Sequence, residues 1–422
     1  MAATDQIGEG LAAADRRISS APTSPPDNDD LLSEILLRLP PHHSSLPRAA
    51  LVCRRWRRLV SHPAFLRRFR ARTPPLIGFF IDDYGDPVFT PTPGHRIPSA
   101  RFSLPQRPGE CWSLLGCRHG LALLLDRTRQ EALVWDPVTG LQRRVPYPEE
   151  FKAVGGEEDL VCNGTVVCAA GDGCVHGGDC YLSHFKLALV SVNSDCTRAF
   201  TCLYESKSGA WGSISSTAIN NYTFGYARPS TSVMVGNALC WLLCPGRSTI
   251  LEFDLSSQSL AVIEQPETHL PGHGILCTVN AELGLVILSK LIIQLWARKI
   301  NSDGHGTVKW VLQKTIELDK LLSLRPAVER WRPVLLGFDE DNNMLFLLTA
   351  IGVFMIQLES LQFKKLFESS FITTYFPYTS FYSAGREIGG GDNRAELLND
   401  CPVRSTKVLA EKAQSHLPAL PR

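Results

Sequence analysis

Four cysteines recur every six residues in VCNGTVVCAAGDGCVHGGDC, at Cys162, Cys168, Cys174 and Cys180, with His176 and His184 close by. Thiolates and imidazoles are the usual zinc ligands, so metal binding is the first chemistry to weigh. The spacing argues against it, because zinc sites separate paired ligands by about two to four residues and a regular six is too long. Cys162 and Cys168 lie in apolar runs that read as strand, and Cys174 and Cys180 in a glycine-rich loop. The stretch therefore reads as an insertion loop with no metal. It also lacks the G-K-[ST] ending of a phosphate-binding loop. Cys240 and Cys244 flank WLL in an expected strand, where they project to one face and read as core.

Ten arginines fall between Arg38 and Arg72, and no Asp or Glu lies between Glu34 and Asp82. Such a patch could hold phosphate backbones. No recognition helix, zinc finger or aromatic RNA-binding signature accompanies it, so a solvated or acid-facing helix surface is the preferred reading over nucleic acid. Catalytic frames are missing too: there is no G-x-S-x-G and no H-E-x-x-H. His119, in CRHG, reads as a turn or edge residue at a strand start. The expectation is a non-enzymatic protein that needs no cofactor.

The elements that would carry these residues change character along the chain. Residues 1–26, rich in Ala, Ser, Pro and Asp, read as a disordered leader. In DLLSEILLRLP, Leu31, Leu32, Ile35, Leu36 and Leu39 fall on one side of a helix. Asp29 and Asp30 stand where its N-terminus favours negative charge, and Pro40 and Pro41 stop it. A second helix is expected through Leu46, Ala50, Val52 and Cys53, with Pro47 in its first turn. A third puts Trp56, Leu59 and Val60 opposite Arg54, Arg55, Arg57 and Arg58. Pro63 interrupts it before AFLRRFRAR.

From Pro74 the hydrophobic period drops to about two. LIGFFI, GLALLL, EALVWDP, FKLALVSV, ALCWLL, TILEFDL, GLVILS, NMLFLLT and GVFMIQL are strand-like runs bounded by turn signals. KTIELDKLLSL allows one short helix. The runs pair up: GLALLL–EALVWDPVTG, ALCWLL–TILEFDLSSQS and NMLFLLT–GVFMIQLESLQ each join an apolar strand to a second one that ends in a polar turn. KLALVSV–FTCLYESKSGAW and GLVILS–IIQLWARKI are looser copies. Five units are clear, and LIGFFIDDYGDPVF belongs to a sixth. An irregular period of about fifty residues suits propeller blades, with two packed sheets as the structural rival.

Composition fits that outline. With 44% hydrophobic and 20% charged residues and a net charge of +1, the chain has a globular make-up and no global pull toward nucleic acid or membrane. No apolar run reaches the ~20 residues of a membrane helix. Acids at Asp5 and Glu9 and the lack of an apolar leader point to an intracellular, soluble protein of the nucleus or cytoplasm. Its 13 cysteines are then expected as thiols, and its sequons at Asn163 and Asn221 unglycosylated.

The stretch DDLLSEILLRLPPHHSSLPRAALVCRRWRRLVSHPAFLRRF closely resembles an F-box: an acidic start, an L-x-E-I-L-x-R-L-P helix, the V-C-R-R-W-R-R-L-V run and a P-x-F segment. Asp27 and Asn28 stand where F-boxes usually open with Leu-Pro. PPLIGFF, CRHGLALL, LVWDPVTGLQRRVP and IIQLWARK look like the associated propeller-type region of plant F-box families. The fold expected is therefore a small α-helical F-box module over 27–72, then an all-β repeat domain over 75–385, a β-propeller of about six blades. A flexible tail over 386–422 follows. The resemblance implies the substrate-recognition subunit of a Skp–cullin–F-box ubiquitin ligase, whose propeller binds a target protein for ubiquitination. Its partners would be a Skp-type adaptor and, through it, a cullin. By position, Leu31, Leu32, Ile35, Leu36, Leu39, Pro40, Val52, Cys53, Trp56 and Leu59 would form the module's core and adaptor face. A binding protein that uses the arginine patch on nucleic acid is the alternative, and a propeller enzyme ranks below it.

Overall fold

The computed structural model describes residues 28–40, 45–70, 74–81, 87–92, 102–104, 109–126, 128–151, 161–169, 184–193, 195, 197–219, 232–243, 249–266, 273–300, 308–324, 332–368 and 375–380. The expected leader and tail lie outside these residues, as do Cys174, Cys180 and Cys244.

Four helices come first: α1 (Asp29–Leu37), α2 (Ser45–Val52), α3 (Arg54–Val60) and α4 (Pro63–Arg70). The residue that caps α1 is Asn28, whose Oδ1 accepts from the Asp30 amide at 2.7 Å, leaving Asp29 and Asp30 to meet the positive end of the helix dipole. Asn28, the second of the two positions where F-boxes usually carry Leu-Pro, is thus a helix cap, and Asp27 lies outside the described residues. Cys53 does not extend the second helix. Its extended backbone breaks the chain between α2 and α3, and its Sγ accepts from the Trp56 amide at 3.5 Å. Pro63, expected as an interruption, is the first residue of α4, where a missing N–H costs little. Leu32, Leu36, Leu46, Ala49, Ala50, Val60, Phe65 and Phe69 form the core of this module.

The remaining described strands form six sheets with only antiparallel neighbours. The second sheet holds β3 (Ser113–Arg118), β4 (Leu121–Asp126), β5 (Glu131–Trp135) and β6 (Gln142–Pro146). The third holds β7 (Val161–Cys168), β8 (Phe185–Val192), β9 (Arg198–Glu205), β10 (Ala210–Trp211) and β11 (Ser215–Ala218). The fourth runs β12 (Val233–Val235), β13 (Ala238–Leu243), β14 (Thr249–Asp254) and β15 (Ser259–Ile263). The fifth runs β16 (His273–Val279), β17 (Glu282–Ser289), β18 (Ile292–Ile300) and β19 (Val308–Glu317), followed by the short helix α5 (Leu318–Leu322). KTIE thus ends a strand, and only the later part of KTIELDKLLSL is helical. The sixth runs β20 (Val334–Asp339), β21 (Met344–Thr349), β22 (Gly352–Gln357) and β23 (Phe363–Phe367). The first sheet mixes the two ends of the domain: β1 (Leu76–Ile81) lies between β2 (Val88–Pro91) and β24 (Tyr375–Thr379).

This is a six-bladed β-propeller. One edge strand of each sheet lies at the centre: β24 neighbours β3 and β20, β3 neighbours β7, and β16 neighbours β12 and β20. The step from β7 to β12 is bridged by the Thr165 hydroxyl, which donates to Ser232 Oγ, and by Trp241 Nε1, which donates to Thr165 Oγ1 at 3.2 Å. Cores lie between blades rather than within them. One joins β4 and β5 to β8 and β9, and the next joins β8 and β9 to β13 and β14. Phe79 and Phe80 of β1 point to opposite faces. Phe79 packs on Phe346 and Tyr375, and Phe80 packs on Trp135 and Tyr378. β1 is therefore wedged between the last and second blades.

The polar turns after the third strands share one device. Asp136 accepts from the amides of Val138 and Thr139, Asp254 from those of Ser256 and Ser257, and Gln357 from those of Glu359 and Ser360. A side-chain oxygen aimed two and three residues onward fixes the hairpin and with it the register of the outer strand.

Tyr378 tests the closure of the ring. Its side chain is fully buried against Phe80, Phe89 and Phe102, and its hydroxyl donates to Gly120 O at 2.9 Å. Tyr378→Ala is expected to cost roughly 3–5 kcal/mol in urea unfolding of the full chain, and Tyr378→Phe about 1 kcal/mol for the lost hydrogen bond.

Candidate functional site

The ten side chains expected at the adaptor face separate into two groups. Leu32 and Leu36 are 1% exposed and belong to the helical core, which Leu39, Trp56 and Leu59 flank as partly buried neighbours. Leu31, Ile35 and Val52 are instead 56%, 51% and 58% exposed, and Pro40 and Cys53 are exposed as well. The apolar side of α1 that counting treats as one face is two. Leu32 and Leu36 turn inward, one turn apart, while Leu31 and Ile35 turn outward with the same spacing. Leu51, at 71%, is the most exposed large apolar side chain of the module and was not singled out by periodicity. A core of eight buried residues leaves these side chains free of a packing role.

The arginines are partly neutralised within the module. Arg55 Nε meets Asp29 Oδ1 at 2.7 Å, Arg58 Nη2 meets Asp29 Oδ2 at 3.3 Å, and Arg68 pairs with Glu34. The Arg55 hydrogen bond holds the Asp29 carboxyl below its ordinary range. Arg57 Nε donates to Ala50 O at 3.3 Å, tying α3 to α2. The patch is acid-facing in part, as the absence of any recognition element suggested.

A second polar site lies on the propeller axis. A cavity of about 50 Å³ opens between β3, β7, β20 and β24. Arg118, the last residue of β3, reaches across it to Glu340 in the β20–β21 turn, and Glu340 Oε2 also accepts from the Met234 amide of β12 at 3.2 Å. One carboxylate thereby ties three blades. The Arg118 side chain is 8% exposed, and its Nε and Nη1 find no acceptor among the described residues. Asp341 Oδ2 accepts from the Thr379 hydroxyl at 2.9 Å. Asp339 accepts from Asn342 Nδ2 at 2.7 Å and from the Asp341 amide at 3.1 Å. Burial first, and the charge of Asp341 second, push the Asp339 carboxyl up to about 7. No sequence motif marked this site. Its members come from distant turns, and only the fold assembles them.

The remaining candidates carry less. Cys162 and Cys168 are on β7, and no group of three His, Cys, Asp or Glu suited to a metal occurs among the described residues. Cys240 is buried on β13, where burial and nearby Glu252 push its thiol up to about 12, so it stays protonated and inert at neutral pH. Asn163 is buried on β7. No helix among the described residues is long and apolar enough to cross a membrane.

Comparison with known families matches residues 28–68 to the F-box domain and residues 174–377 to "F-box protein AT5G49610-like, beta-propeller". No curated protein matches the chain significantly. Solved structures with similar shape include the WD40 domain of SCAP from fission yeast, at 11% identity and TM-score 0.37, covering 70% of this chain and 60% of that one. A protein of unknown function from Bacteroides caccae follows at 10% identity and TM-score 0.39, covering 71% and 98%. The nidogen/laminin complex gives 10% identity and TM-score 0.36, covering 71% and 96%.

Asp339 gives the axial site a pH signature. Its pKa is raised on folding from an unfolded value near ~3.9, so its contribution to stability is fully present below that value and is lost as pH rises through about 7. The wild type is expected to lose more thermal stability than Asp339→Asn when buffered at about pH 8 rather than about pH 5. Parallel melting curves over that interval would show that the Asp339 carboxyl is not raised.

Proposed function

From a chain that joins an F-box domain to a β-propeller of F-box-protein type, we propose the substrate-receptor subunit of a Skp–cullin–F-box ubiquitin ligase, acting in the nucleus or cytoplasm. The F-box docks on a Skp-type adaptor, which links it to a cullin, and the propeller holds the protein to be ubiquitinated. Catalysis belongs to other subunits of the complex. The observation that carries the reading is the exposed apolar set Leu31, Ile35, Leu51 and Val52 on a module whose own core is already filled. Apolar side chains placed outward in this way gain free energy only when a partner covers them. Pro40 and Cys53 sit at the exposed ends of the same elements, and Leu32, Leu36, Leu39, Trp56 and Leu59 support the surface from beneath.

The split between outward and inward side chains lets docking be measured apart from folding. Ile35→Asp and Val52→Asp in the full chain are expected to weaken binding to a purified Skp-type adaptor by roughly thirtyfold or more, about 2 kcal/mol, with the melting temperature unchanged. Leu36→Ala is expected to lower the stability of the module itself by about 2–5 kcal/mol. An intact wild-type chain that binds no Skp-type adaptor from its own cells would defeat the ligase reading.

A further inference from the structure

We propose that the outer half of β19, Val308–Leu312, accepts an added strand from the protein that the propeller holds. The strand is an extended segment with an Asp or Glu opposite Lys309 and apolar residues opposite Val308, Val311 and Leu312. That its donor is a target for ubiquitination rests on the receptor reading; the chemistry of the edge does not.

β19 differs from the other outer strands. It is 10 residues long, against 5 for each of β6, β15 and β23. Its only ladder partner among the described residues is β18. β6 and β15 each meet the third blade: Trp211 Nε1 donates to Pro146 O at 2.9 Å, and β11 lies against β15, where the Ser215 hydroxyl donates to Gln258 O. β23 carries adjacent exposed lysines, Lys364 and Lys365, a common guard against strand addition. On β19, by contrast, Val308, Val311 and Leu312 are all exposed. A free edge turns the N–H and C=O of alternate residues outward, so exposed apolar side chains beside it make a template for an extended chain. The register shift between Leu312 and Lys314 leaves Gln313 as an extra residue and ends the regular edge there.

Register and charge choose the occupant. Residues directly opposite each other share a face of the sheet. Lys309 lies opposite Lys299, and neither has an ion pair among the described residues. Like charges so placed repel, and a carboxylate opposite Lys309 on a third strand relieves that repulsion. The other face asks for no charge. There Trp310 lies opposite Arg298, which already meets Glu252 at 3.7 Å, and Trp310 Nε1 donates to Glu264 O at 2.7 Å. One acid at one place is therefore selected. In an antiparallel segment the residues opposite Leu312, Val311, Trp310, Lys309 and Val308 read apolar, apolar, any, acid, apolar. A second copy of β19 fits poorly. It has no acid from Val308 to Ile316, and its Glu317 is held by Lys320, so it would bring lysines to lysines.

The test titrates the full chain into the peptide Thr-Ile-Val-Thr-Glu-Val-Thr, blocked at both ends and labelled for fluorescence anisotropy. Saturable binding is expected, together with slowed hydrogen exchange in β19 and in no other outer strand. Gln in place of the peptide's Glu, or Lys309→Glu in the protein, should weaken binding about fivefold or more. A peptide with Lys in that place should recover affinity for Lys309→Glu, and a peptide methylated on every backbone nitrogen should not bind. Lys309 is exposed, so the melting temperature of Lys309→Glu should equal that of the wild type. Adaptor binding on the same samples should be untouched by Lys309→Glu, so a failed edge and a failed ligase reading are told apart. No saturable binding, equal binding of the Gln peptide, or protection outside β19 would overturn the proposal. Protection of β19 that rises with protein concentration in the absence of peptide would overturn it in favour of a second copy.

Discussion

Blades that share their apolar faces need a closed ring, and this ring is closed by the pairing of β24 with β1. Phe80 opposes Phe376 and Ile81 opposes Tyr375 in that ladder. The aromatic contacts on both sides of β1 then make the junction a core of its own. Phe79 belongs to the cluster shared with the sixth blade, and Phe80 to the one shared with the second. If β24 were removed, the faces of the second and sixth blades would both open to water. Everything that depends on the axis, including the Thr379–Asp341 bond, depends on this seam.

The axis shows the complementary constraint. Inner strands converge there, where Gly116, Gly164, Thr165 and Ser232 line a cavity that the Arg118–Glu340 pair spans. A buried ion pair adds little net stability compared with apolar packing, because desolvation offsets most of its attraction. Its geometry is nevertheless specific. Glu340 accepts at once from β3 and from the β12 backbone, which sets how the second, fourth and sixth blades face one another.

Legibility in the sequence followed burial. The paired apolar runs that revealed the repeat are β4–β5, β8–β9, β13–β14, β17–β18 and β21–β22, the middle strands of the second to sixth blades. Every residue of β4 is buried, and all but the first of β17. Strands covered on both faces read as continuous apolar runs. Outer strands such as β19 and β23 are largely exposed, and their mixed composition hides them. The helical module was legible in outline, since spacing located α1 but could not say that Leu32 and Leu36 face in while Leu31 and Ile35 face out. Both pairs have the same i, i+4 separation, and only the positions of α3 and α4 decide between them. Leu51 and the axial residues were missed for a related reason: exposure and long-range proximity leave no periodic trace.

The order in which the strands are made has a consequence for the life of the chain. A ribosome delivers the helical module first, then β1 and β2, and it must add nearly three hundred residues before β24 can meet them. Throughout that interval the wedge of Phe79 and Phe80 has only one of its ladders. A message interrupted between the end of α4 and Tyr375 would yield a product with an intact helical front and an unsealed wheel behind it. On the receptor reading proposed above, such a fragment would still occupy the adaptor while offering nothing at the other end, so early termination would poison the assembly rather than merely deplete it.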